Sequence, residues 1–505
     1  MDEVISDYCD CAERCKKAGL DFVLIHGAHG NLIGQFLSPA TNRRSDHYGG
    51  SVENRMRFPL EILMAVRERV GPNFGIDMRL CGDEIIPDGM KLPDAVAFLK
   101  EARRYIDCVQ MSRGLIVHPD YAFYVIPPYY NDYCHNVKYA EEVKKHIDIP
   151  VSVVGSISRI SDAEEILAAG KADFIGMARA VLADHDIIKN AFLGEEEKTR
   201  PCLRCMEGCC KNAGNGYPIR CAVNPVIGRE TKYAYIPRAD VKKKVMVVGG
   251  GPAGMMAAQT LTKRGHKVVL YEKRDRLGGM MNDICALSFK EDLRRYLAWN
   301  VRTTEACGAE IILNAEVTAE TVEKENPDTL FIAAGGDPAQ PPIPGTDGKN
   351  IRHVIDVDNK RAEAGQKVVV CGGGVSGLEC ALELAMEGRE VTVIDIIPAE
   401  RFAGEMVVIT RNNLMSLLKK HNVRMTGGVR VTRFTESGVT AVNSEMKELF
   451  FEADTVITAF GMKPNTDTVS ELSLLVPETH IIGDCDKTAN IYYANHSAFN
   501  RAVEI

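Results

Sequence analysis

Positive charge is what this sequence of 505 residues lacks: 61 Lys and Arg against 69 Asp and Glu leave a formal net charge of −8. Binding along a nucleic acid needs a basic face, so nucleic acid is excluded as a partner. No apolar run approaches the roughly 20 residues needed to cross a bilayer. The start, "MDEVISDYCDCAERCKKAG", is acidic and helix-like, without the basic opening and apolar core of a signal peptide. These absences exclude a membrane span and point to the cytoplasm. Cysteine, by contrast, is plentiful at sixteen residues. In a reducing compartment such thiols are metal ligands or buried side chains more often than disulfides. The length accommodates roughly three domains.

Three regimes follow one another along the chain. Residues 1–195 alternate short apolar runs with amphipathic stretches. "DFVLIHG", "FGIDMRL", "CVQMSRG", "VSVVGS" and "DFIGMAR" read as buried strands of a parallel sheet. Between them "SVENRMRFPLEILMAVRERVG", "LPDAVAFLKEARRY", "VKYAEEVKKHI" and "SDAEEILAAG" carry apolar residues at helical spacing, with Gly or Pro at their ends. That is the rhythm of a (β/α) barrel. A charged linker, "GEEEKTR", leads into a cysteine-rich loop within residues 196–240, after which two Gly-rich βαβ units begin near residues 245 and 367.

In "CLRCMEGCCKNAGNGYPIRCAVNP", Cys202, Cys205, Cys209 and Cys221 stand at the spacing C-x2-C-x3-C-x11-C. Four thiolates on a tight Gly/Asn/Pro-rich loop can converge on the irons of a [4Fe–4S] cluster. Structural zinc is the alternative, although zinc more often uses two matched cysteine pairs, and Cys210 could take the place of Cys209. Further on, "VMVVGGGPAGMMAAQTLTKRGHKVVLYEK" sets Gly249, Gly251 and Gly254 between a strand and a helix, with Glu272 closing the second strand. The glycines let backbone and helix N-terminus approach a pyrophosphate, and the carboxylate can hold a ribose hydroxyl. "KVVVCGGGVSGLECALELAMEGREVTVID" repeats the pattern with Gly372, Gly374, Gly377 and Asp395, so two dinucleotides are expected. Asp395 favours a free 2′-hydroxyl over a 2′-phosphate, hence NADH over NADPH.

The two units, the segments "TLFIAAGGDPAQPPIPG" and "TVITAFGMKPN", and "HIIGDCD" resemble a flavin disulfide-reductase module. In that arrangement an FAD domain over 241–350 and 456–505 is interrupted by a NAD(H) domain over 351–455. The resemblance puts Asp484 in contact with FAD, with Gly278 and Gly279 nearby. The bland alternative for these two glycines is a simple turn. The order barrel, cysteine loop, FAD fingerprint, NAD fingerprint, together with "QFLSPATNRRSDHYGGSVENRMRF", resembles the 2,4-dienoyl-CoA reductase / 2-enoate reductase group of the old yellow enzyme superfamily. Trimethylamine dehydrogenase belongs to the same superfamily. The resemblance spans essentially the whole chain. It implies an FMN-bearing TIM barrel, a [4Fe–4S] loop and a split FAD/NADH module, with electrons passing from NADH to FAD, cluster, FMN and substrate.

The resemblance also carries roles. Arg79 in "DMRL" matches the arginine facing the flavin pyrimidine. Gly155 and Ser156 in "VGSI", with Gly176, Ala178 and Arg179 in "IGMAR", match the phosphate-binding loops. His26 and His29 in "IHGAHGN" match the pair that holds a substrate oxygen, with a buried strand-end histidine as the bland alternative for either. Asn31 stands where the family usually has the tyrosine that protonates the α-carbon, and an amide is no acid near pH 7. His118, with Tyr121, is the candidate replacement, and solvent water the other. Only five barrel strands are visible, matching the family's fourth to eighth. Three more would occupy on the order of 100–150 residues upstream. A fragment of a longer chain, a partner chain, or self-association is therefore expected to complete the barrel. The expected activity is reduction of the C=C bond of an α,β-unsaturated acid, acyl-CoA or enone. The alternatives are an NADH-to-cluster electron-transfer module without a competent FMN site and, more weakly, amine oxidation.

Overall fold

A computed structural model describes residues 1–118 and 120–505. The chain divides into two compact units, Met1–Val181 and Leu182–Ile505.

The first unit is built on one parallel sheet in simple order: β1 (Phe22–Gly27), β2 (Gly75–Cys81), β3 (Cys108–Ser112), β4 (Val151–Val154) and β5 (Phe174–Gly176). These are the five runs expected to be strands. Side chains alternate across each strand. Ile76, Met78 and Leu80 of β2 are fully buried on the helix-facing side, while Asp77 and Arg79 share the other face. Helices Val52–Val70, Leu92–Ala102, Val137–Lys144 and Ile160–Ala168 supply the return connections. Ser51 caps the first by accepting from Asn54 N, and the helix buries Phe58, Ile62, Leu63 and Val66. Each such side chain contributes about 1.5–3 kcal/mol of burial free energy. The sheet is open, with β1 and β5 at its edges. Its inner face leaves Phe22, Leu24 and Phe174 exposed at 61%, 40% and 57%, as a partial barrel does.

The second unit contains two five-stranded parallel sheets. In one, Lys244–Val248 lies at the centre, flanked by Lys267–Tyr271 and Glu310–Ile312 on one side and Thr329–Ile332 and Thr479–Ile481 on the other. Its last strand comes from far along the chain, so this sheet is discontinuous. The other is laid out identically around Lys367–Cys371, with Glu390–Ile394 and Arg424–Thr426, then Thr455–Thr458 and Ile351–His353. Thr455–Thr458 pairs within this inserted sheet. The chain therefore returns to the first sheet after that strand, not at the expected boundary of 455/456, because its backbone hydrogen bonds are spent on Lys367–Cys371. An antiparallel meander of Val429–Thr435, Gly438–Asn443 and Glu448–Glu452 was not foreseen. No helix among the described residues is long and apolar enough to cross a membrane.

Candidate functional site

In the first unit the strand ends carry the polar groups. His26 ends β1 opposite Arg79 of β2, and His29 follows in a left-handed turn at φ 61°. The two imidazoles meet edge to face with centroids 5.1 Å apart. His29 is buried, and its Nε2 lies 2.8 Å from Ser112 Oγ, which also receives Arg79 Nη2 at 3.4 Å. Arginine has donors only, so Ser112 accepts from Arg79 while it also hydrogen-bonds His29 Nε2. Ala28 N donates to His26 Nδ1 at 3.2 Å, which leaves the His26 proton on Nε2. A neutral imidazole carries one N–H donor, so each ring has one to offer.

Burial, then the Arg79 cation, then His26, push the His29 pKa down to about 3. Burial and Arg79 also lower that of His26. Both rings are therefore neutral near pH 7, suited to donate to a developing oxyanion without protonating it. The Asn31 amide nitrogen lies 3.4 Å from His26 Nε2 and donates to Ala28 O at 2.9 Å. His118 is exposed, its ring against Tyr121 at 4.8 Å. The contact of its loop with the histidine turn is made earlier, by Ile116 N donating to His29 O at 3.2 Å.

The remaining residues of this unit form a polar rim around the strand ends. Arg79 Nε and Ser156 Oγ are buried without a hydrogen-bond partner, as groups awaiting a ligand would be. Gly155 closes β4 at φ 137°, where a Cβ would strike Asn136 Nδ2 at 2.5 Å. Asn136 is a support missed in the sequence, and its amide donates to Val154 O at 2.6 Å. Gly176 ends β5, Ala178 is exposed, and Arg179 Nη1 donates to Pro127 O at 2.9 Å. An uncommitted guanidinium nitrogen and hydroxyl at the ends of neighbouring strands fit the charged ring edge and phosphate of FMN.

In the second unit, helix α1 (Pro252–Arg264) starts at the first glycine turn and helix α2 (Val375–Met386) at the second. A Cβ on Gly254 would lie 1.8 Å from Gly249 O, and one on Gly377 2.1 Å from Gly372 O, so both turns close only around glycine. Gly250 N donates to buried Glu272 at 2.7 Å, and Gly373 N to Asp395 at 2.5 Å. Gly251 is open except for Gly279 at 4.0 Å, and a Cβ on Gly483 would meet Ala253 at 2.8 Å. Gly249, Gly251, Gly254, Gly279 and the turn bearing Asp484 are thus brought to one helix start, with space for a pyrophosphate. Burial raises the pKa of Asp484.

Cys202, Cys205 and Cys221 share one buried cluster with Tyr296 and Trp299. Burial pushes the Cys205 thiol well up, and the neighbouring Cys202, Cys221 and Cys209 add to the rise. Among the described residues no three Cys, His, Asp or Glu side chains converge closely enough for one metal ion. The ends of the loop are pinned. Arg204 pairs with Asp292 at 2.6 Å, their side chains 4% and 2% exposed. From helix α3 (Ile491–Ala502), Asn495 donates to Ala222 O at 2.8 Å and His496 Nε2 to Cys221 O at 2.9 Å.

Strand-end imidazoles beside a buried arginine, two dinucleotide cradles and four gathered thiols define a flavin- and nicotinamide-dependent oxidoreductase. Residues 1–197 match the NADH:flavin oxidoreductase / NADH oxidase family. Residues 243–491 match the pyridine nucleotide-disulphide oxidoreductases. The chain is 36% identical to an NADH oxidase of Thermoanaerobacter brockii, covering 100% of this chain and 78% of that one. It is 33% identical to a cinnamate reductase of Clostridium sporogenes, covering 100% and 77%. A solved complex of 2-naphthoyl-CoA reductase with 2-naphthoyl-CoA superposes with a TM-score of 0.93 at 30% identity, covering 100% of this chain and 76% of that one. The chain belongs to the NADH:flavin oxidoreductase family, in its enoate and alkene reductase group. Its cofactors are those of the group: FMN, FAD, a [4Fe–4S] cluster and a nicotinamide dinucleotide.

Proposed function

We propose that the protein reduces a C=C bond conjugated to a carbonyl group at the expense of NADH, on a planar, aryl-bearing acid, acyl thioester or enone. The observation that carries this reading is the neutral histidine pair beside the Arg79 cation, with Ser112 bonded to both His29 and Arg79. Two related proteins are named for aryl compounds, cinnamate and 2-naphthoyl-CoA. The loop beyond Leu115 adds Tyr121, Phe123 and Tyr124, with Arg113 5.5 Å from the Tyr124 ring, an apolar and cationic wall for such a ring.

Bound FAD, cluster and FMN would supply the redox chemistry: two electrons taken from NADH, relayed singly, and returned as hydride to the substrate β-carbon. The chain's own residues do the rest. Cys202, Cys205, Cys209 and Cys221 would hold the cluster. Glu272 and Asp484 would hold the FAD, and Asp395 the ribose of NADH. Arg79 would face the FMN ring, its cation offsetting negative charge there, and Gly155, Ser156, Gly176, Ala178 and Arg179 would hold its phosphate. His26 and His29 donate to the carbonyl oxygen as the enolate forms. Asn31 keeps its amide against Ala28 O and gives no proton, so the α-carbon takes its proton from His118 or from water.

A second reading rests on the exposed inner face of the five-stranded sheet at Phe22, Leu24 and Phe174. If that face cannot retain FMN without a partner chain or a second copy, the protein passes NADH electrons only as far as the cluster. Anaerobic incubation with NADH and a series of 2-enoates with and without aryl groups tests the proposal. One saturated product per NADH, fastest with aryl enoates, is the expected result. NADH oxidation with an artificial dye but no saturated product would favour the second reading.

A further inference from the structure

The two dinucleotide cradles of this chain share one layout and differ in what lies across the helix start. At the first, the space before helix α1 is open around Gly251. At the second, the Glu405 carboxylate lies across the start of helix α2, where Val375 N donates to Glu405 Oε1 at 3.4 Å and the same oxygen is 3.9 Å from the would-be Cβ of Gly374. The position is built. Ala403 N donates to Gly373 O at 2.8 Å, Ala403 holds a left-handed φ of 47°, and Phe402 is fully buried beneath Gly373. Arg411 Nε then fastens Phe402 O at 2.7 Å. The segment 402–405 is tied to the glycine turn, and Glu405 is its exposed end.

We infer that Glu405 is an affinity-setting residue whose carboxylate competes with the NADH pyrophosphate for the amide groups at the start of helix α2. The inference rests on the nicotinamide reading of the second cradle. Helix N-termini favour anions, so a carboxylate already there must be displaced before a diphosphate enters, and like charge opposes both entry and residence. The contrast between the cradles follows the difference in their tasks. A flavin that stays bound gains from an open anion site. A nicotinamide that must leave after each turnover gains from a competitor that returns as it departs. Exposed Ile396 and Ile397, next to Asp395, offer apolar surface for the adenine, so binding retains a contribution that Glu405 does not oppose.

Calorimetric titration of NAD+ into the purified holoprotein tests this, comparing the wild type with Glu405→Gln. The variant is expected to bind about two- to fivefold more tightly, the scale of one charge at a helix terminus. Its KM for NADH should fall, with the KM for the reducible acceptor and the FAD content unchanged. A damaged fold would weaken binding, so tightening separates the proposed role from a structural one. Equal affinity would overturn the competition while leaving the nicotinamide reading intact. Weaker binding with full FAD content would overturn it in favour of a direct contact from Glu405 to NADH. A wild-type protein that takes up neither NAD+ nor NADH would overturn both.

Discussion

Ser112 decides more of the candidate chemistry than either histidine shows alone. Its hydroxyl bridges the Arg79 guanidinium and the His29 ring, and so positions both. Ser112→Ala should lower turnover on an enoate about tenfold, the worth of one buried hydrogen bond, with NADH-to-dye activity kept; equal loss of both would deny it this role. His118→Ala should likewise reduce ene reduction far more than NADH oxidation, and equal effects would remove His118 as proton donor. The buried His29 also makes stability pH-dependent. Its folded pKa of about 3 lies below the unfolded value near 6.5, so between those values the unfolded chain binds more protons. Stability contributed by the neutral ring is full above pH 6.5 and lost as pH falls toward 3. The thermal midpoint should fall on acidification from pH 6.5 to 5, and less steeply in His29→Gln; parallel curves would contradict this. The histidines, Asn31 and Arg79 were legible because strand ends on a βα rhythm are where such side chains project. Ser112 was not, since a serine closing a strand carries no pattern; only its inward phase, two residues after Gln110, marks it.

At the scale of elements, the five strands of the first unit and both glycine turns were readable from periodicity and spacing. Buried parallel strands are short apolar runs, and only glycine allows the tight strand-to-helix turns. The meander 429–452 escaped because its alternation is broken: Val429, Phe434, Val439 and Ala441 are buried, but a register shift between Val431 and Arg433 moves the phase. The cysteine loop was legible in its spacing and silent in its supports. Asp292, Asn495 and His496, which hold Arg204 and the loop backbone, come from distant segments that no local pattern connects. Asp292→Asn leaves the Arg204 cation buried with weaker compensation, at a cost of about 3–5 kcal/mol, and should lower the melting temperature and the iron content together. Cys209→Ser should strip iron where Cys210→Ser keeps it, because Cys209 is among the thiols that press on Cys205; the reverse result would exchange the two ligands.

For the whole molecule, one chain carries several candidate cofactor sites. A nicotinamide cradle, a flavin cradle and a thiol cluster lie in one compact unit, and a strand-end site with a polar rim lies in the other. The order of these parts was visible in the sequence because each has its own spacing. The return point of the discontinuous domain was not, because it depends on which sheet the strand Thr455–Thr458 joins. The claim that this chain carries both flavins and the cluster is open to one direct measurement, acid-extracted flavin from the purified protein with iron and sulfide assayed alongside. FMN and FAD are expected near one each per chain, with iron and sulfide near four each, as a [4Fe–4S] cluster requires. FAD with iron but no FMN would contradict it and leave an electron-transfer module in its place.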